Sequence, residues 1–219
     1  MKDGFGVIFD MDGVLVDSNP THKKALNRFF KEHGKDISNE FLVTRIFGRT
    51  NTEWIPEVFG DISPEMAKQI ADDKEKVFRN IFDPKEAMVP GFTNFLDMLK
   101  EYEVKTALAT SAPFENAEYI LKGLSVKNQF DVILDSSHVS VGKPEPEIYI
   151  KAAKALGFLP EQCVVIEDSL AGVESARRAH SKVIGITTTH TTEELSGCDI
   201  VVDNFEELSF EDLSVLFTW

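Results

Sequence analysis

The segment Asp10-Met11-Asp12-Gly13-Val14 places two carboxylates two residues apart, directly after the apolar run Phe5-Gly6-Val7-Ile8-Phe9. Residues at i and i+2 of an extended chain point to one side, so both acids can face the same space at a strand end. There they can ligate a hard cation, attack as a nucleophile or move a proton. Asp-Gly is also a common turn dipeptide, and this pair alone leaves the catalytic and turn readings open. A second acidic pair, Glu167-Asp168, follows Val164-Val165-Ile166 and precedes Ser169-Leu170-Ala171-Gly172. Alone it would read as a helix cap. Two separate runs ending in acids change the balance. Several converging carboxylates are costly without a cation, and Mg²⁺ prefers such hard oxygen ligands. Asp10, Asp12, Glu167 and Asp168 are therefore the candidate metal group.

Two further segments supply the complement. Val104–Ala109 ends in Thr110-Ser111-Ala112-Pro113, where hydroxyls and backbone N–H groups precede a helix. Such a place can seat an anion, although simple capping explains it equally well in isolation. The stretch Val139-Ser140-Val141 reads as another strand–loop passage and leads into Gly142-Lys143-Pro144-Glu145-Pro146. Two prolines stiffen that loop and present one lysine. Carboxylates, a hydroxyl, a lysine and a second acidic pair, each in a comparable context, form a constellation rather than a coincidence.

For these residues to meet, the apolar runs must lie side by side. Residues 5–10, 104–109, 131–134, 163–166, 182–186 and 199–202 are continuous apolar runs of the kind buried on both faces of a sheet. Helix-period stretches near 91–101, 114–123, 145–156 and 170–179 alternate with them. That alternation implies an α/β fold, a Rossmann-like parallel sheet with helices on both faces. Such sheets bind ligands at their carboxyl edge, where the acids fall.

Residues 19–84 break the rhythm. They read as helices over His22–His33, Asn39–Phe47, Thr52–Phe59 and Pro64–Phe82, separated by Gly34, Gly48 and Gly60. Residues 1–18 and 85–219 are thus expected to form the core domain, and 19–84 an inserted helical domain. Val14–Pro20 and Asp83–Pro90 read as the hinges.

Composition limits the partners. Among 219 residues, 23 Lys and Arg oppose 37 Asp and Glu, a formal net charge of −14. That field repels nucleic acid and anionic membranes, and no basic stripe offsets it. An anionic substrate must meet a local positive site: a metal, a lysine or helix N-termini. No apolar run approaches the ~20 residues of a membrane span. The start, Met1-Lys2-Asp3-Gly4, shows no signal-peptide anatomy, and Cys163 and Cys198 suggest no disulfide framework. The expected location is a reducing cytoplasm, with a monomer as the working expectation.

Asp10-x-Asp12-Gly-Val, Thr110-Ser111, Lys143-Pro144 and Glu167-Asp168 resemble, in order, the four motifs of the haloacid dehalogenase (HAD) superfamily. The resemblance covers nearly the whole chain. The runs Asp10–Ser18 (DMDGVLVDS), Gly142–Glu147 (GKPEPE) and Glu167–Gly172 (EDSLAG) look most like the β-phosphoglucomutase-like phosphatases. The resemblance implies a Mg²⁺-dependent enzyme in which Asp10 takes up the phosphoryl group as an aspartyl phosphate. Mg²⁺ would be held by Asp10, the backbone carbonyl of Asp12 and Asp168, with Glu167 as a direct or water-bridged ligand. Thr110 and Lys143 would hold phosphoryl oxygens, with Ser111 and Ala112 beside them. Asp12 would protonate the leaving oxygen, an acid that a halide leaving group does not need, so phosphoryl transfer is expected rather than carbon–halogen cleavage.

By the same resemblance residues 19–84 are a helical cap that selects the leaving group. His22 stands where the sugar-phosphate mutase also carries histidine, and Gly48-Arg49-Thr50-Asn51 resembles the cap's substrate loop, with the arginine displaced. Without the resemblance, His22 reads as an exposed first-turn residue and Gly48-Arg49 as a helix end. Asn116 is a candidate sugar-hydroxyl contact, while Trp54 and most of the 17 phenylalanines read as core. The expected function is a phosphatase for a small phosphorylated metabolite, a sugar phosphate first. A β-phosphoglucomutase-type mutase and a catalytically silent binding protein are the alternatives.

Overall fold

The computed structural model describes residues 4–46 and 51–217. The chain falls into two compact units, Met1–Asp17 with Pro84–Trp219, and Ser18–Asp83.

The first unit is built on six parallel strands: β1 (Gly6–Phe9), β2 (Lys105–Ala109), β3 (Val132–Leu134), β4 (Cys163–Glu167), β5 (Lys182–Ile186) and β6 (Ile200–Val202). These are the six runs that the sequence marks as apolar. Their order is β3-β2-β1-β4-β5-β6. The chain leaves β1 towards β2 and β3, then returns to the other side of β1 at β4. This reversal creates a switch point between β1 and β4, where α/β sheets hold ligands beyond the carboxyl ends of their strands.

Register decides what arrives there. Phe9 pairs with Leu108 on one side and with Ile166 on the other. The next residue of β4 is Glu167, and the chain leaving β1 continues into Asp10, whose N–H donates to Ile166 O at 3.0 Å. Asp10 and Glu167 are thus delivered side by side by backbone pairing.

Both faces of β1 are covered, as its uninterrupted apolar sequence requires. Ile8 joins a core with Tyr149, Ala152 and Ala153 of α7 (Glu147–Leu156) and with Val173 and Ala176 of α8 (Leu170–Arg178). Phe9 points the other way, into an aromatic cluster with Phe92 and Phe95 of α5 (Phe92–Glu101), Phe130 and Phe205, at ring-centroid distances of 5.8–6.2 Å. The alternation of Ile8 and Phe9 therefore fastens β1 from both sides.

The second unit is helical: α1 (Asn19–Glu32), α2 (Asn39–Phe41) running into a π-turn at Leu42–Ile46, α3 (Asn51–Phe59) and α4 (Pro64–Ile81). Leu26, Phe29, Phe30, Trp54, Ile55 and Ile70 form its core. Helix α1 begins at Asn19 rather than at the expected His22, because Pro20 supplies the preset φ of a first turn. The expected helix over Asn39–Phe47 is instead a short α-turn followed by the π-turn, and its last expected residue lies outside the described residues.

Two other differences matter in the first unit. Val139-Ser140-Val141 is not a strand. Glu147 Oε2 accepts from Ser140 N (2.9 Å), Ser140 Oγ (2.7 Å) and Val141 N (3.2 Å), folding the stretch back onto the start of α7. A last short helix, α9 (Phe210–Val215), was not among the expected elements, although Ser209 and Asp212 form a capping box at its start. Among the described residues no helix is long and apolar enough to cross a membrane.

Candidate active site

Asp10, at the end of β1, is 7% exposed. Lys143 Nζ lies 2.6 Å from Asp10 Oδ1 and 2.7 Å from Glu167 Oε1, so one ammonium joins the ends of β1 and β4. Lys143 does not come from a strand end, as expected; it comes from the loop braced by Glu147 and by Ser175 Oγ, which donates to Glu145 O at 2.7 Å. Lys151 completes the brace, donating to Glu147 Oε1 (2.6 Å) and to His138 O (2.7 Å).

Glu167 is fully buried, and its carboxylate is saturated with donors. Oε1 accepts from Lys143 and from the Tyr149 hydroxyl at 2.7 Å. Oε2 accepts from Asp168 N (3.0 Å), Ser169 N (3.0 Å) and Ser169 Oγ (2.9 Å). Ser169 Oγ also caps α8, accepting from Gly172 N at 3.0 Å. The capping role that the sequence suggests for this segment and its place in an acidic site are therefore the same structure.

Asp10, Glu167 and Asp168 each offer a carboxylate oxygen, and these atoms lie within 4.8 Å of one another. Asp12 is half-buried where a turn returns to Val16, and its carboxylate is not part of that trio. One lysine does not offset three buried acids. Burial raises the Asp10 pKa to about 7, against the pull of Lys143, with the charge of Glu167 adding to the rise. Asp168 rises to about 8 through burial and the nearby charges of Glu167 and Asp10. Burial acts on Glu167 in the same sense, but Lys143 and the hydrogen bonds overcome it and hold that acid below its usual range. Both upward shifts have the same source: one ammonium does not compensate three carboxylates buried together, so the ionised trio is short of positive charge. An all-oxygen donor set with that deficit fits a hard divalent cation.

Two glycines make room for the trio. A Cβ at Gly13, whose φ is +82°, would fall on the Asp168 carboxylate, and a Cβ at Gly172 would fall on that of Glu167. The loop after β5 adds a fastening that the sequence reading missed. Thr188 Oγ1 donates to Gly13 O at 2.5 Å, and Thr189 Oγ1 donates to Asp168 Oδ2. Its signal was visible: hydroxyl residues follow β5 just as Thr110-Ser111 follow β2. Tyr149 was missed because a tyrosine on the apolar face of a helix reads as core.

Thr110 is 1% exposed at the end of β2. Its Oγ1 accepts from Ala112 N at 3.0 Å, which engages one of the amides expected to face an anion. The hydroxyl keeps its own hydrogen for another acceptor. Ser111 is exposed and Ala112 half-buried, tied through its carbonyl to Ser136 N at 3.0 Å. Asn116 is buried within α6 (Phe114–Leu124). In the helical unit His22 is half-buried and stacks on Phe78, with ring centroids 3.8 Å apart. Gly48 and Arg49 lie outside the described residues.

This combination of fold and site defines an α/β protein with a buried acidic trio, able to hold a cation, at the switch point of a parallel sheet. Residues 6–180 match the model of the haloacid dehalogenase-like hydrolases, and the chain belongs to that family. It is 36% identical over 178 residues to the phosphorylated carbohydrates phosphatase of Thermotoga maritima, covering 79% of this chain and 80% of that one. It is 30% identical over 213 residues to the chloroplastic 5-amino-6-(5-phospho-D-ribitylamino)uracil phosphatase of Arabidopsis thaliana, covering 96% of this chain but 57% of the plant protein. A crystal structure of β-phosphoglucomutase from Clostridium difficile superposes with a TM-score of 0.83 at 28% identity, covering 97% and 96% of the two chains. Within the family the chain falls among the β-phosphoglucomutase-like members and is an enzyme of phosphoric monoesters, hydrolase or mutase.

Proposed function

We propose that the protein is a cytoplasmic, Mg²⁺-dependent phosphatase of small phosphorylated metabolites, sugar phosphates first, acting through an aspartyl phosphate on Asp10. The observation that carries this reading is the Lys143 ammonium shared between Asp10 and Glu167 beside Asp168. It sets a carboxylate between a lysine and a candidate cation site, where a phosphate dianion would be neutralised from both sides. Asp10, Asp168 and the backbone carbonyl of Asp12 would hold Mg²⁺, with Glu167, whose oxygens already accept five hydrogen bonds, acting directly or through water. Bound there, the cation would offset the repulsion between the carboxylate and the phosphate and orient the ester.

The chain's own groups then have definite tasks. Lys143 occupies Asp10 Oδ1, which leaves Oδ2 to attack phosphorus. The new Oδ2–P bond forms as the P–O bond to the leaving group breaks, and Asp12 gives that oxygen its proton. Asp12 next takes a proton from water. The water oxygen bonds to phosphorus, the Oδ2–P bond breaks, and Asp10 is regenerated with release of inorganic phosphate. Thr110 and Lys143 hold the phosphoryl oxygens throughout.

The relatives named for phosphorylated carbohydrates and for a phosphoribityl compound support the substrate class. The helical unit would act as the cap that chooses the leaving group, with His22 and Arg49 contributing to the choice. The fold shared with β-phosphoglucomutase, together with His22, supports a second reading in which a sugar hydroxyl replaces water as the final acceptor. An assay on β-glucose 1-phosphate with a bisphosphate primer separates the two. The phosphatase reading expects phosphate release faster than glucose 6-phosphate formation. Rapid isomerisation with negligible phosphate release would reverse the ranking. A wider screen of sugar phosphates, phosphoglycolate and pyrophosphate identifies the substrate.

A further inference from the structure

We infer that Tyr149 is a positioning residue of the cation site, fixing Glu167 and Lys143 together from the first turn of α7. This rests on the reading of Asp10, Glu167 and Asp168 as a Mg²⁺ site.

Tyr149 is fully buried, and its hydroxyl donates to Glu167 Oε1 at 2.7 Å. The same oxygen receives Lys143 Nζ at 2.7 Å, and that ammonium stands 4.9 Å from the centroid of the Tyr149 ring. One side chain therefore meets the acid with its polar end and the lysine with its π-face. Both contacts can be favourable, since a phenol donates well to a carboxylate and an aromatic face attracts a cation. Lys143 and Tyr149 belong to one braced segment, the loop held by Glu147 and the helix that follows it. The Tyr149 hydroxyl thus ties Glu167, on β4, to the element that carries Lys143.

A carboxylate that shapes a cation site, directly or through water, must not turn. Glu167 Oε2 is held by three donors from its own strand end, whereas Oε1 is held only from the α7 segment. Removing the Tyr149 hydroxyl leaves Lys143 as the sole donor to Oε1, and Lys143 is shared with Asp10. The ammonium is then drawn towards Glu167, and the oxygen geometry offered to the cation loosens. Partners of metal ligands commonly govern metal affinity by about 10- to 100-fold.

The test is Tyr149→Phe, which keeps the ring and removes the hydroxyl. Mg²⁺ affinity is measured on the protein without substrate, by calorimetric titration and by the rise in melting temperature that Mg²⁺ produces. The expected result is an affinity for Mg²⁺ weaker by about tenfold and a smaller metal-induced rise. Equal Mg²⁺ affinity in the variant and the wild type would overturn the inference. So would a lowered melting temperature in chelator with an undiminished metal-induced rise, since that outcome assigns Tyr149 to the core alone. If the wild type itself binds no Mg²⁺, the reading of the acidic site fails first, which is a distinguishable result.

Discussion

Lys143 and Asp10 stand 133 residues apart in sequence, yet Lys143 Nζ lies 2.6 Å from Asp10 Oδ1. The contact is made by the loop before α7, because α7 packs across β3, β2 and β1 and so carries that loop from the edge strand to the end of β1. The ammonium restrains Asp10 from rising still further against burial and the neighbouring acids. Lys143→Ala should therefore leave Asp10 and Glu167 facing each other without a shared cation. Loss of a group that holds the transferring phosphoryl typically costs about 10²- to 10³-fold. A loss of that size in kcat/KM is expected on a sugar phosphate and on p-nitrophenyl phosphate alike. A loss confined to the sugar phosphate would place Lys143 on the leaving-group side instead.

The acidic trio gives the metal-free protein an unusual pH dependence. Asp10 and Asp168 titrate at about 7 and about 8 in the fold, against 3.8 in an unfolded chain. Between about pH 4 and about pH 8 the folded state then binds more protons than the unfolded one, and stability falls as pH rises. Glu167 shifts the other way; its contribution is present above its ordinary value of 4.5 and lost as pH falls below it, so it does not alter the fall at higher pH. In chelator, the melting temperature should drop between about pH 6 and about pH 8. Asp168→Asn should reduce that drop and melt higher than wild type at the upper pH, and saturating Mg²⁺ should abolish the drop in wild type. Scanning calorimetry checks this, and a rise with pH in chelator would contradict it.

Gly13 is constrained twice, by its φ of +82° and by the Asp168 carboxylate standing where a Cβ would go. Gly13→Ala should cost stability on the order of 1–3 kcal/mol from the backbone alone. It should also displace Asp168 and weaken Mg²⁺ binding. Gly34 is the control, with a φ of +64° and nothing within 4 Å of its Cβ position. Gly34→Ala should cost about 1 kcal/mol and leave metal affinity unchanged. Denaturant unfolding and metal titration on both variants separate the steric from the conformational effect.

His22 belongs to the helical unit, where it stacks on Phe78. Contacts to the leaving group contribute binding energy that positions the ester, so their loss depends on the substrate. His22→Ala and Arg49→Ala should impair a preferred sugar phosphate far more than p-nitrophenyl phosphate. Equal losses on both esters would show that the helical unit does not select substrate through these residues.

The sheet was legible because its strands are buried on both faces and so are written as unbroken apolar runs. The convergence of Asp10, Glu167 and Asp168 was legible because acids ending two separate apolar runs fall at the same edge of a parallel sheet. What the sequence hid were relationships at a distance. Tyr149 sits on the apolar face of α7, and nothing in its spacing shows that its hydroxyl reaches a buried carboxylate. Glu147 opens α7 after a proline-rich run, and nothing in that run shows that its carboxylate folds Val139–Val141 away from strand geometry. The role of Gly172 follows only from how closely α8 passes Glu167.

The central claim is that Asp10 carries the phosphoryl group. Acid-quenched protein, taken during turnover of a sugar phosphate that it hydrolyses, is digested and analysed by mass spectrometry for an acid-stable, base-labile phosphate. The account predicts a phosphorylated peptide with the modification on Asp10, absent when the protein is quenched without substrate. Turnover with no phosphate on Asp10 at any quench time, or a persistently active and folded Asp10→Asn protein in the same experiment, would contradict it.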